Sequence, residues 1–222
     1  MPRTARASRG GVCYHVLNRG NRRQRVFLDE EDYETFLVLM ERAHERLPMR
    51  VLSFCLMPNH FHMALWPRRD DDLGRWMHWL MTSQVRRHNG RHRTSGHLWQ
   101  GRFKAFPVQN DDHLVTVQRY IERNPLRAGL VERARDWSWS SLQWWRSAKC
   151  PPFLYPTETV TRPDWRRLVA KPQTEKELEA LRRSVNRGTP FGNSSWTRRT
   201  AKRLDLQPTL RPVGRPRKKG RN

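Results

Sequence analysis

Leu56-Met57-Pro58-Asn59-His60-Phe61-His62-Met63-Ala64-Leu65-Trp66 decides how the rest of the chain is read. Pro58-Asn59 is a turn signal, and the aromatic and apolar run after it reads as a strand. Strand side chains alternate faces, so His60 and His62 share one face while Phe61, Met63 and Leu65 share the other, where helices can cover them. At a rise of roughly 3.3 Å per residue the two imidazoles lie about 7 Å apart along the strand. Neutral imidazole is a common ligand for divalent ions. Taken alone, two histidines at this spacing fit an ordinary strand as well as a metal site.

Upstream of this stretch, Met49–Leu56 reads as the strand that pairs with it in a hairpin. Before that, Asp29-Glu30-Glu31-Asp32 opens a helix, because acids suit the positive end of the helix dipole. Tyr33, Phe36, Leu37, Met40 and Ala43 form one face of that helix, and Pro48 stops it. Gly11–Asn18 is a further β-rich run, ended by the turn signal Asn18-Arg19-Gly20-Asn21, and Asn21–Arg25 is a basic loop. Downstream, Asp70-Asp71-Asp72 caps a helix through about His88, with a basic loop over Asn89–Gly96. Phe103–Gln109 reads as a fourth strand. Asn110-Asp111-Asp112 caps a third helix, which ends at Asn124 because Pro125 follows.

The order β-α-β-β-α-β-α, with a hairpin in the middle, points to an α+β fold. The expected form is a ferredoxin-like antiparallel sheet with helices on one face and the other face free for a ligand. The predicted organisation is a catalytic domain over 1–148, a proline-rich linker over 149–172, a helical DNA-binding-like module over 173–209 and a basic tail over 210–222. Thr174-Glu175-Lys176-Glu177 is a capping-box pattern opening the module. Its two short helices read as a helix-turn-helix or, alternatively, as a clasp on the main domain.

Lys and Arg number 44 against 21 Asp and Glu, for a net charge of +23. That balance points to a polyanionic partner, most often nucleic acid. Three cysteines far apart make neither a disulfide framework nor a zinc module. No apolar run approaches the ~18 residues that span a membrane, and the cysteine usage fits a reducing cytosol, so the expected location is cytoplasmic.

In the third helix Leu114, Val117 and Ile121 form the packing stripe, while Tyr120 and Asn124 lie one turn apart on one face. A carboxamide oxygen suits Mg2+ or Mn2+. An ion held by His60, His62 and Asn124 would polarise a phosphoryl group for attack by Tyr120. A helical tyrosine is also an ordinary packing residue.

These residues carry a resemblance. Pro58-Asn59-His60-Phe61-His62 resembles the His-hydrophobic-His motif of HUH endonucleases, and Tyr120–Val131 resembles the tyrosine helix of the IS200-like single-tyrosine transposases. Pro190-Phe191-Gly192, Trp196-Thr197 and Gly214-Arg215-Pro216-Arg217-Lys218 are similar to the REP-associated branch of that family. The resemblance implies a bacterial, nucleoid-associated protein and cleavage of single-stranded DNA beside palindromic hairpins through a 5′-phosphotyrosine link. His60 and His62 would be metal ligands and Tyr120 the nucleophile. Insertion-sequence relatives use a glutamine where Asn124 stands. Those relatives are dimers that place each tyrosine in the partner's site. The REP-associated branch works as a monomer, and a monomer is expected here over a homodimer.

Candidate phosphate contacts are Arg22, Arg23, Arg25, Arg87, Arg102 and Lys104, with Arg215, Arg217 and Lys218 in an AT-hook-like tail. The alternative to the enzyme is a non-catalytic DNA hairpin-binding protein. An RNA-binding module of the same fold is weaker, because its aromatic strand motif is absent.

Overall fold

The computed structural model describes residues 8–211. The core sheet has four strands, β1 (Cys13–Arg19), β2 (Arg50–Met57), β3 (His60–Trp66) and β4 (Lys104–Val108), in the order β2-β3-β1-β4. Every neighbouring pair is antiparallel. Helix α1 (Glu30–Arg46) follows β1, and helix α2 (Asp72–His92) follows β3. This is the expected ferredoxin-like connectivity. Pro107 lies in β4, an edge strand, where a missing N–H is tolerated.

Met57 pairs with His60, so the β2–β3 turn is the two residues Pro58-Asn59. Neither has positive φ; the turn is held from outside. The Pro58 carbonyl accepts from the Val26 and Phe27 amides, and the Asn59 carbonyl from the Gly20 amide. A Cβ at Gly20 would meet the Gln24 carbonyl at 2.3 Å, which explains glycine in this loop.

On one face, Tyr14, Val16, Phe54, Leu56, Phe61, Met63 and Leu65 pack beneath α1 and α2 in the main core. Asp29 caps α1 by accepting from the Asp32 amide. Helix α2 runs four residues beyond the expected end near His88, through Asn89 and Gly90 to His92. The local sequence is weak for helix there, but Arg91 pairs with Asp29, Glu31 and Asp32, and His92 with Asp32. These long-range ion pairs override the local propensity.

The opposite sheet face is covered in part rather than left open. Helix α3 (Asp112–Glu122) lies across it, with Leu114, Val117 and Ile121 on Cys55, Ala64 and Phe106. That apolar stripe needs a partner surface, and Cys55, Ala64 and Phe106 supply one. The helix stops at Glu122, and Asn124–Arg127 forms a separate turn, α4, with Pro125 in its first turn.

Residues after 127 bind this core together. Trp139 O accepts from the Leu56 amide and Phe153 O from the Val51 amide, so the free edge of β2 is paired. Short helices α5 (Glu158–Thr161) and α6 (Trp165–Ala170) follow. Carbonyls at the end of α6 accept from α3 and its C-cap: Arg119 reaches Leu168 O and Lys171 O at 3.1 Å each, and Arg123 reaches Ala170 O at 2.7 Å. Trp165 is fully enclosed in the main core. Helix α7 (Glu175–Arg187) opens on the capping box of Thr174 and Glu177. Its Leu178 and Leu181 join the α3 layer. Phe191 pairs beside Val108 of β4, and α8 (Ser194–Arg203) follows. Among the described residues no helix is long and apolar enough to cross a membrane.

Candidate active site

Strand register decides which side chains meet. His60 pairs with Arg19 and Met57, His62 with Leu17 and Cys55, and Ala64 with His15 and Ser53. Directly paired residues point to the same face, so His60, His62 and His15 all stand on the face that α3 covers. Tyr120 descends onto them from α3. Its ring centroid lies 5.6 Å from that of His62 and 6.0 Å from that of His15.

Each ligand candidate has one ring nitrogen committed. His60 Nδ1 is 2.7 Å from Asn59 Oδ1, while Asn59 Nδ2 donates to Arg23 O at 3.0 Å. The amide orientation is thereby fixed, so His60 Nδ1 carries the proton and Nε2 keeps its lone pair. His62 Nδ1 is 2.9 Å from His15 Nε2. If His62 donates, its Nε2 is free as a ligand. His15 Nδ1 then holds a proton with no acceptor, and that atom is enclosed and unpartnered. A ring nitrogen held by a neighbour so that the other faces the ion is the usual arrangement around ligating histidines.

Burial holds all three rings neutral. It lowers His15 to about 3, with Arg127 adding to the effect. It lowers His60 to about 4, with Arg19 and Arg127 adding. His62 is pushed well below its ordinary value by burial and then by His15 and His60. Neutral imidazole is the ligating form.

A cleft of about 580 Å³ opens here, lined by His60, His62, Tyr120, Asn124 and Arg127 together with Arg19, Arg102 and Lys104. The Tyr120 ring is buried, but its hydroxyl makes no hydrogen bond among the described residues and is not one of the enclosed unpartnered atoms, so it opens into the cleft. Arg127 lies over the Tyr120 ring, its guanidinium carbon 4.1 Å from the centroid. It also donates to Asn124 Oδ1, and Asn124 Nδ2 donates to Tyr120 O at 3.2 Å. Asn124 thus borders the cleft with its oxygen engaged by a guanidinium.

Of the basic candidates, Arg102 and Lys104 line this cleft. Arg22 and Arg23 are exposed in a short turn over Asn21–Arg23, and Arg25 is exposed beyond it. Arg87 is exposed on α2, away from the cleft. Arg215, Arg217 and Lys218 lie outside the described residues. His15, Arg19 and Arg127 were missed as site residues. Period-two alternation from Cys13 to Arg19 puts His15 and Arg19 on one face of β1, but only the register shows that it is the face of His60 and His62.

A family model described as Transposase IS200 like matches residues 9–124, which contain β1 to β4 and the whole of α3. The chain is 26% identical over 168 residues to a REP-associated tyrosine transposase of Haemophilus influenzae, covering 71% of this chain and 92% of that protein. It is 24% identical over 136 residues to a REP-associated tyrosine transposase of Escherichia coli K12, covering 60% and 77%. A solved REP-associated tyrosine transposase bound to a REP hairpin superposes with a TM-score of 0.57 at 19% identity, over 78% of this chain and 99% of that one. With the family match spanning more than half its length, this chain belongs to the IS200-like transposase family.

Proposed function

We propose that the protein is a metal-dependent endonuclease and strand transferase acting on single-stranded DNA at palindromic hairpins, with Tyr120 as nucleophile. The observation that carries this reading is an unpartnered tyrosine hydroxyl beside two neutral imidazoles in one basic cleft. The solved REP-associated tyrosine transposase bound to a REP hairpin, which shares this fold, supports the substrate class.

His60 and His62 fit a divalent ion such as Mg2+ or Mn2+, because each keeps an Nε2 with no competing partner. Asn124 Oδ1, now engaged by Arg127, would complete the set directly or through a water. The ion supplies charge on the phosphoryl oxygens. The Tyr120 oxygen forms a bond to phosphorus, and the bond from phosphorus to the 3′ oxygen breaks. The leaving strand takes up a proton as a 3′-hydroxyl, and a 5′-phosphotyrosine remains. Arg127 adds positive charge beside that phosphate. The Tyr120 ring stands 5.6 Å from His62 and 6.0 Å from His15 of its own fold, a geometry that supports a site complete in a monomer.

The test is incubation with labelled hairpin-bearing single strands taken from repeats flanking the gene, with Mg2+, Mn2+ or EDTA, read on denaturing gels. A metal-dependent covalent adduct is expected. Tight binding of a cleavable strand without an adduct in either metal would move the assignment to a DNA hairpin-binding protein.

Two further outcomes follow from the same site. His15→Ala removes the group that orients His62, and the metal concentration for half-maximal cleavage is expected to rise about 10–100-fold. An unchanged metal requirement would make His15 a packing residue only. Binding is also expected to weaken with salt, log K falling against log salt with slope about −0.7 for each phosphate neutralised on a single strand. Arg102→Ala and Lys104→Ala should each flatten that slope by about 0.7, as titrations at several salt concentrations will read.

A further inference from the structure

A second group of donors lies on the other side of the sheet, between α1 and α2. Gln84, His88 and His92 recur every four residues on α2 and so share a face. Asp32, in the first turn of α1, stands opposite them. Ligand atoms of Asp32, His88 and His92 all lie within 4.8 Å of one another. His92 Nε2 is 2.9 and 3.1 Å from the two Asp32 carboxylate oxygens, and the rings of His88 and His92 are 4.6 Å apart by centroid.

His88 is the unexplained member. Both its ring nitrogens are enclosed, and neither has a hydrogen-bond partner. Gln84 Oε1, one turn away, is in the same condition. Enclosed polar atoms are almost always satisfied, so two such groups on one helix face point to a ligand. A cleft of about 370 Å³ lined by Glu31, Asp32, Gln84, His88 and Arg91 reaches this corner, with exposed Arg86 and Arg87 also bordering it. Arg91 is paired with three carboxylates, Asp29, Glu31 and Asp32. It can release Asp32 and keep the other two.

We propose that Asp32, His88 and His92 form a second divalent-metal site, of the zinc class, separate from His60 and His62 and structural in role. Two imidazoles and one carboxylate are a donor set that suits zinc, whereas magnesium prefers oxygen alone. Zinc bonds of about 2.0–2.2 Å put tetrahedral donors roughly 3.4 Å apart. Donors now up to 4.8 Å apart would close by as much as about 1.4 Å, while the Asp32–His92 pair at 2.9 Å would open by about 0.5 Å, and the Gln84 oxygen or a water would complete the set. The His92 nitrogen gives up its contact with Asp32 and shares the ion instead, losing any proton it carries. The ion ties the first turn of α1 to the last turn of α2. From there the chain runs into residues 96–103, whose Leu98 and Gln100 bond to Asn21 and Arg19 and whose Arg102 lines the catalytic cleft.

The test uses the full-length His60→Ala/His62→Ala variant, which lacks the first pair of imidazoles. It is stripped with a chelator, dialysed against zinc chloride and analysed for metal. One zinc per chain is expected to remain. Its Tm should rise by about 5 °C at zinc a hundredfold above the dissociation constant. Adding His88→Asn should remove both the bound zinc and the Tm rise. The wild-type chain against His88→Asn alone gives an independent reading, with one zinc fewer expected in the variant. No zinc retained by the first variant, or equal stoichiometry with and without His88, overturns the proposal.

Discussion

Tyr120→Phe is expected to abolish the covalent protein–DNA adduct and lower strand cleavage by at least about three orders of magnitude. Hairpin affinity should stay within twofold. The substitution removes one oxygen that makes no hydrogen bond in the folded chain, and it keeps the ring that packs on His15, His62 and Arg127. Stability should therefore change by less than about 0.5 kcal/mol, which denaturant titration will check. Loss of activity with intact folding and binding assigns the nucleophile. Cleavage that survives in Tyr120→Phe would mean that water attacks phosphorus, and the role proposed for α3 would be wrong.

Glu122 is expected to carry the largest stability effect in the molecule. It is fully enclosed at the end of α3. Its Oε1 accepts from Ser141 Oγ at 2.5 Å and from Trp145 Nε1 at 2.6 Å, and its Oε2 accepts from Trp165 Nε1 at 2.8 Å. One carboxyl thus joins α3 to three separate positions of the chain that follows. Glu122→Ala leaves the enclosed indoles of Trp145 and Trp165 without an acceptor at about 1–3 kcal/mol each, while Ser141 Oγ keeps the Phe54 carbonyl at 3.2 Å, so a loss of about 2–5 kcal/mol is expected. Glu122→Gln keeps Oε1 but turns an amine toward Trp165, and an intermediate loss of about 1–3 kcal/mol is expected.

Burial raises Glu122 from 4.5 to about 7, against the three donors that favour the charged form. A carboxyl raised on folding stabilises the protein fully below pH 4.5, and that contribution fades as pH rises through 7. The fading amounts to about 3 kcal/mol. The stability difference between wild type and Glu122→Gln should therefore shrink from pH 5 to pH 8. His15, His60 and His62 act with the opposite sign, since their folded values are depressed. Their contribution is present above pH 6.5 and is lost as acid protonates the unfolded chain first. Denaturant midpoints measured across pH should show both gradients. A difference between wild type and Glu122→Gln that does not vary with pH would mean that Glu122 has the same affinity for its proton in both states.

Most of the sheet was legible because each strand is bounded by turn residues and β3 alternates in period two. The Pro58-Asn59 turn and the acid-capped starts of α1 and α3 are local signals, and the structure keeps them. What the sequence hid depends on distant partners. Helix α2 reaches His92 because Asp29, Glu31 and Asp32 lie across from its last turn. Arg127 could be placed against Tyr120 only once α4 had turned the chain back. Glu122 reads as a polar break in an apolar stripe, and its meaning emerges when Ser141, Trp145 and Trp165 arrive from later in the chain. The same holds for the second sheet face, where α3 finds its apolar partners among β2, β3 and β4.

The ties between α3 and residues 168–171 have a topological meaning. Here Arg119 and Arg123 grip three carbonyls at the end of α6, and Glu122 is clamped between them by two indoles and a hydroxyl. Trading the helix would require peeling away a wrap that extends past residue 170. The chain downstream of the family match thus ties the end of α3 to its own fold at six hydrogen bonds, beside the His62 and His15 rings of the same chain.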